Sequence, residues 1–183
     1  MAATTIMLIR HAEKPDDEDG GVDQKGKPDK HDLIVRGWQR AGALVQFFAH
    51  PRDPNAPIKL PASIFATEPS SQTASKRPLD TVTPLAEFLS IDIDSDITEG
   101  AEQDLVDQAV ASTGVVLIAW HHEAIPAIAN LILQNQSAPQ RWPADRFDVV
   151  WIFTRDTPTA PWKFAQAPQL LLAGDSPNAI KWG

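Results

Sequence analysis

Short apolar runs alternate along this chain with stretches whose apolar residues recur at helical spacing. Residues 5–9 (Thr-Ile-Met-Leu-Ile) are almost wholly apolar and end abruptly in Arg10-His11, which predicts a buried strand of a parallel or mixed sheet. In 34–48 the apolar positions Trp38, Ala41, Leu44, Val45 and Phe48 fall on one face of a helix. Residues 62–66 are a second strand candidate. Helical character follows over 71–90, where Pro78 and Pro84 must start, break or kink helical pieces. Leu105, Val106 and Val110 mark a helix over 101–111. Residues 114–120 (Gly-Val-Val-Leu-Ile-Ala-Trp) are the clearest strand of the chain and end in His121-His122, before a helix over 125–133. Residues 148–154 are rich in Val, Trp, Ile and Phe, a further strand. Pieces at 162–165 and 169–172 suit a sheet edge.

Between these elements lie polar connections: a loop over 15–32 rich in Asp, Lys, Gly and Pro, a proline-rich link at 49–59 and a Thr/Pro turn at 156–161. No repeat or linker divides the chain, so 1–183 reads as one domain. The alternation predicts an α/β three-layer sandwich, a mostly parallel central sheet with helices on both faces. Ligands of such sheets sit beyond the carboxyl ends of the strands. Two of the strands here end in histidine at that edge.

Composition narrows the function. The 183 residues are 43% hydrophobic and include no cysteine, which excludes disulfides and cysteine metal sites. No basic stretch followed by a long apolar run opens the chain, and no apolar run approaches a membrane span. A cytoplasmic protein without membrane contact is expected. The net charge of -8 and the lack of a basic patch speak against nucleic acid as a partner. Against that acidic balance, arginines placed at the strand ends stand out.

Arg10-His11 suits phosphoryl transfer: a neutral imidazole can attack phosphorus while a guanidinium holds oxygens in a bidentate fork. The bland alternative is a charge cluster at a strand end. His121-His122-Glu123 follows the long strand, where a histidine can donate to the same phosphate; the alternative is incidental histidines at a helix start. As metal ligands the adjacent pair lacks the His-Glu-x-x-His spacing that sets two ligands on one helix face. Arg77, in Ser75-Lys76-Arg77-Pro78-Leu79-Asp80-Thr81, follows the 62–66 strand and offers a second guanidinium. The acidic runs 16–19 and 92–96 read as solvated loop, the latter without the glycine and glutamate of a calcium loop.

The segment Leu8-Ile9-Arg10-His11-Ala12-Glu13-Lys14 resembles the Arg-His-Gly/Ala-Glu signature of the histidine phosphatase superfamily, the phosphoglycerate mutase-like proteins. Residues 32–41 are similar to that family's Leu-Thr-x-x-Gly-x-x-Gln-Ala segment, and 77–86 to its Arg-x-x-x-Thr-x-x-Pro-Leu-Ala segment. Residues 115–120, followed by histidine, resemble the strand carrying its second catalytic histidine. The matches come in family order and cover most of 5–135.

The resemblance implies a phosphatase acting on a phosphate monoester, with His11 as the nucleophile that becomes phosphohistidine and Arg10 and Arg77 as phosphate clamps. Glu13 would stand behind the pocket. No metal or organic cofactor is implied, and the partner is a small phosphate ester or another phosphorylated substrate. Alternatives are a phosphoglycerate mutase-type phosphotransferase and a non-catalytic phosphate-binding module. The chain is short for the insertion that shapes a mutase site, and it keeps the nucleophile that degenerate members lose. The second histidine is open: alignment on the strand favours His121, and alignment with members reading Trp-Glu-His before Ile-Pro favours His122. His122 is expected, in the turn entering the 125–133 helix, with His121 turned aside. Glu123, Glu102 and Glu68 are the candidates for the acid that protonates the leaving oxygen.

Overall fold

The computed structural model describes residues 3–51, 56–70 and 73–182. Its strands are β1 (Thr5–Arg10), β2 (Ser63–Ala66), β3 (Ile93–Asp94), β4 (Val115–Trp120), β5 (Val149–Thr154) and β6 (Lys163–Pro168). Its helices are α1 (Val35–Ala49), α2 (Arg77–Leu89), α3 (Glu102–Ala111) and α4 (Ile125–Leu133). The strands form one sheet in the order β3-β2-β4-β1-β5-β6. β3, β2, β4 and β1 run parallel; β5 lies antiparallel to β1, and β6 antiparallel to β5.

Side chains alternate faces along a strand, and here both faces are apolar. Ile6 and Leu8 of β1, Val116 and Ile118 of β4, and Val149, Trp151 and Phe153 of β5 join α3 and α4 in one core layer. Met7 and Ile9, Leu117 and Ala119, and Val150 and Ile152 face α1 and α2 in the other. Two-sided burial explains why these strands read as continuous apolar runs.

Pro78 sits at the start of α2, where a missing N–H costs nothing, and Pro84 is accommodated inside it. Two details differ from the sequence expectation. Residues 169–172 leave the sheet: Gln169 N–H donates to the Asp148 carbonyl at 2.7 Å, and Leu170 turns with φ 52°. The two-residue β3 is too short to leave a periodic signal. Residues 52–55 of the 49–59 link and 71–72 of the 71–90 stretch lie outside the described residues.

α1 approaches the segment after β1 closely. A Cβ on Gly37 would lie 2.5 Å from the Glu13 carbonyl oxygen, so only glycine permits this contact. Within the described residues no helix is long and apolar enough to cross a membrane.

Candidate active site

Register brings the candidate residues to one edge. Arg10 pairs with Trp120 and Ala66 with Ala119, so β1, β2 and β4 end side by side. His11 N–H donates to the Trp120 carbonyl at 3.0 Å, one step past the strand. His11 and His121 therefore leave the sheet next to each other, their ring centroids 5.4 Å apart and edge to face.

The orientation of His11 follows from its surroundings. Nδ1 lies 2.7 Å from the Ala12 carbonyl. A carbonyl only accepts, so Nδ1 carries the proton and Nε2 keeps the lone pair. The Ala12 N–H donates at 2.8 Å to the hydroxyl of Thr81, which in turn donates at 2.6 Å to the Arg77 carbonyl. One buried hydroxyl thus ties the His11 turn to the first turn of α2. Burial, with Arg10, His121 and Arg77 adding their repulsion, holds the His11 pKa well below the ordinary imidazole value. The ring is neutral at physiological pH, as a nucleophile requires.

Arg10 continues the Ile6–Leu8 face of β1 and is 1% exposed. Its Nη1 donates to the carbonyls of Ala144 at 2.6 Å, Arg146 at 3.1 Å and Pro143 at 3.4 Å. Its guanidinium carbon stands 3.8 Å over the Phe147 ring, a cation–π contact. Nε and Nη2 are buried and have no protein partner; the same holds for Arg77 Nε and His121 Nε2. Burial lowers the Arg10 pKa to about 10 and depresses that of Arg77. It brings His121 down to about 4, with Arg77 next among the causes. Buried donors without acceptors cost free energy. Such unpartnered groups near His11 are what an anion could satisfy.

The structure sets His121, rather than the expected His122, against His11. His122 Nδ1 instead comes within 2.8 Å of the Glu123 carboxylate, off the line of a hydrogen bond. Burial and then Arg10 lower the His122 pKa. Glu123 is 67% exposed in its side chain, and its charge acts on Arg10, Arg77 and His121. Glu102 accepts from the Trp120 indole at 3.2 Å and the Gly100 amide at 3.0 Å, which commits it to holding α3 against the end of β4. Glu68 is exposed beyond β2. Glu13 bonds Arg40 and Arg36 and lies behind the His11 turn.

Sequence reasoning missed Phe147 and the carbonyls around it, which carry no motif. It also passed over Glu99, whose pKa burial raises, with Glu123 and Glu102 adding to the effect. Thr81 stood inside a quoted motif, yet its role is visible only from its hydrogen bonds.

No protein-family model matches the chain, and no curated protein does. Solved structures do. A phosphoserine phosphatase from Entamoeba histolytica in complex with 3-phosphoglyceric acid aligns over 92% of this chain and 100% of its own, at TM-score 0.58 and 14% identity. A mycobacterial glucosyl-3-phosphoglycerate phosphatase with bound VO3 aligns over 88% and 97%, at 0.56 and 16%. The protein histidine phosphatase SixA with tungstate aligns over 90% and 97%, at 0.56 and 13%. At these identities the likeness is one of fold.

Proposed function

Starting from a chain with the histidine phosphatase fold, we propose that it hydrolyses a phosphate monoester through a phosphohistidine on His11. The observation that carries this reading is the set of buried, unpartnered donors of Arg10, Arg77 and His121 beside a neutral imidazole whose Nδ1 is tied to a carbonyl. The VO3 and tungstate held by two proteins of this fold are oxyanions of the kind such donors suit.

In the proposed reaction the free edge of Arg10 and the Nε of Arg77 take the phosphate oxygens. His11 Nε2 attacks phosphorus, and the bond to the leaving oxygen breaks. Glu123, beside the clamp and open to solvent, gives that oxygen its proton. Its carboxylate then takes a proton from water, which attacks the phosphohistidine; inorganic phosphate leaves and His11 returns to its neutral form. His121 Nε2, next to His11, donates to the charge that develops on the transferring group. Transfer to a second hydroxyl in place of water is the mutase variant, and release of inorganic phosphate separates the two.

The test is a screen of phosphate esters without added metal, comparing wild type with His11→Ala. A fall in turnover of roughly 10^4-fold or more is expected. Hydrolysis that survives the substitution would exclude His11 as nucleophile.

A further inference from the structure

Resting on the reading above, we infer that this site selects phosphate monoesters whose alcohol part bears no anionic group, and favours those bearing an ammonium. The buried donors of Arg10, 1% exposed, and His121, 6% exposed, locate the phosphate. What surrounds that locus on the solvent side is acidic.

Glu123 lies two residues past His121, is 67% exposed and meets His122 at 2.8 Å. Asp145 is exposed and sits between Ala144 and Arg146, the residues whose carbonyls hold Arg10. Glu99 immediately precedes Gly100, whose amide is bonded to Glu102, and Glu102 is anchored on Trp120, the last residue before His121. The carboxylates that act on Arg10 are Glu123, Asp145 and Glu13, and those that act on Arg77 are Glu123, Asp80 and Asp32; His122 also faces Arg10. The nearby cations are committed or few. Lys76 is held by Asp29 at 2.8 Å and Asp32 at 3.2 Å; Arg36 and Arg40, which line a cavity with Asp145, are held by Glu13 and Asp175; Lys14 is exposed beside His122.

The two zones divide the substrate by charge. The inner donors neutralise the phosphate. With Glu123 protonated for its role as acid, the alcohol part leaves the clamp past Asp145 and Glu99, where a second anion meets like charge and an ammonium meets opposite charge. Rim interactions of this kind act over a few ångströms in high dielectric and are screened by salt.

The experiment compares kcat/KM for phosphoethanolamine, p-nitrophenyl phosphate and 3-phosphoglycerate, at low ionic strength and at high salt. Wild type is expected to prefer phosphoethanolamine to 3-phosphoglycerate by about tenfold or more, and salt to shrink that ratio. Asp145→Lys with Glu99→Lys is expected to lower the ratio several-fold, while p-nitrophenyl phosphate turnover per folded molecule moves less. Equal rates on the two charged esters, preference for 3-phosphoglycerate, or a ratio indifferent to both salt and charge reversal would overturn the inference and leave the hydrolase standing. Failure to turn over all three esters, or turnover unchanged in His11→Ala, would overturn the hydrolase and this selectivity with it.

Discussion

Arg40 and Arg10 are 2% and 1% exposed, lie on either side of the turn after His11, and differ in what their guanidinium groups meet. Each nitrogen of Arg40 has a partner: Glu13 at 2.8–3.1 Å, Asp175 at 2.7 and 3.1 Å, Gln169 at 2.9 Å. Burial opposes its charge, but the bonds to Asp175 and Glu13 win and hold its pKa above the ordinary value. Arg10 has one nitrogen tied to carbonyls and two left open, and burial lowers its pKa. A saturated buried cation joins segments: here α1, the His11 turn and the C-terminal stretch. An unsaturated one stores a demand for an anion. The difference separates a saturated buried cation from an unsaturated one without reference to any motif.

Substitutions at the two arginines are the sharpest way to break this contrast. Arg10→Ala is expected to lower kcat/KM by roughly 10^2- to 10^3-fold with a melting temperature near that of wild type. Steady-state kinetics alongside thermal denaturation reads both. Arg40→Met is expected to do the reverse, losing about 3 kcal/mol of stability because Glu13 and Asp175 lose the buried cation that each bonds. A chemical denaturation curve measures it, and a stable Arg40→Met protein with crippled turnover would erase the distinction.

The two histidines sharpen it further. His121→Ala is expected to slow turnover by roughly 10^2-fold, and His122→Ala by less than about tenfold, since its Nδ1 faces Glu123. Single-turnover phosphate release separates them; equal losses would show that the ring contact does not mark the working residue.

The smallest expected effect is on stability against pH. With its folded pKa at about 4 against 6.5 for an ordinary imidazole, His121 stays neutral in a window where the unfolded chain binds a proton. Folding is therefore fully supported above pH 6.5 and weakens as pH falls from 6.5 towards 4. Inorganic phosphate, by favouring the charged ring, should reduce that loss. Melting temperatures at several pH values, with and without phosphate, check the sign. A His121→Phe protein showing the same slope would assign the loss to other groups.

The layers were legible from the sequence because β1, β4 and β5 are buried on both faces and so show as apolar runs. The place of His11 at the end of β1 was legible because a charged pair ended such a run. The contact of His121 with His11 was not foreseen because alternation along one strand was applied without knowledge of the register between two. Since Arg10 pairs with Trp120, each histidine takes the same step beyond its strand, and the two meet. Phe147 and the carbonyls of 143–146 were invisible because they reach Arg10 across more than a hundred residues of chain, and backbone carbonyls leave no residue signature.

Gly37 sits inside α1, where replacing glycine by alanine is a routine stabilising edit worth about 1 kcal/mol in an ordinary helix. With its Cβ position 2.5 Å from the Glu13 carbonyl, that edit would push the helix off the turn that aims His11. A thermostabilisation campaign guided by helix propensity alone would therefore choose this position early and disturb the turn that holds His11. For the same reason any side chain at Gly37 would shift the Glu13 backbone and, with it, the turn that follows His11.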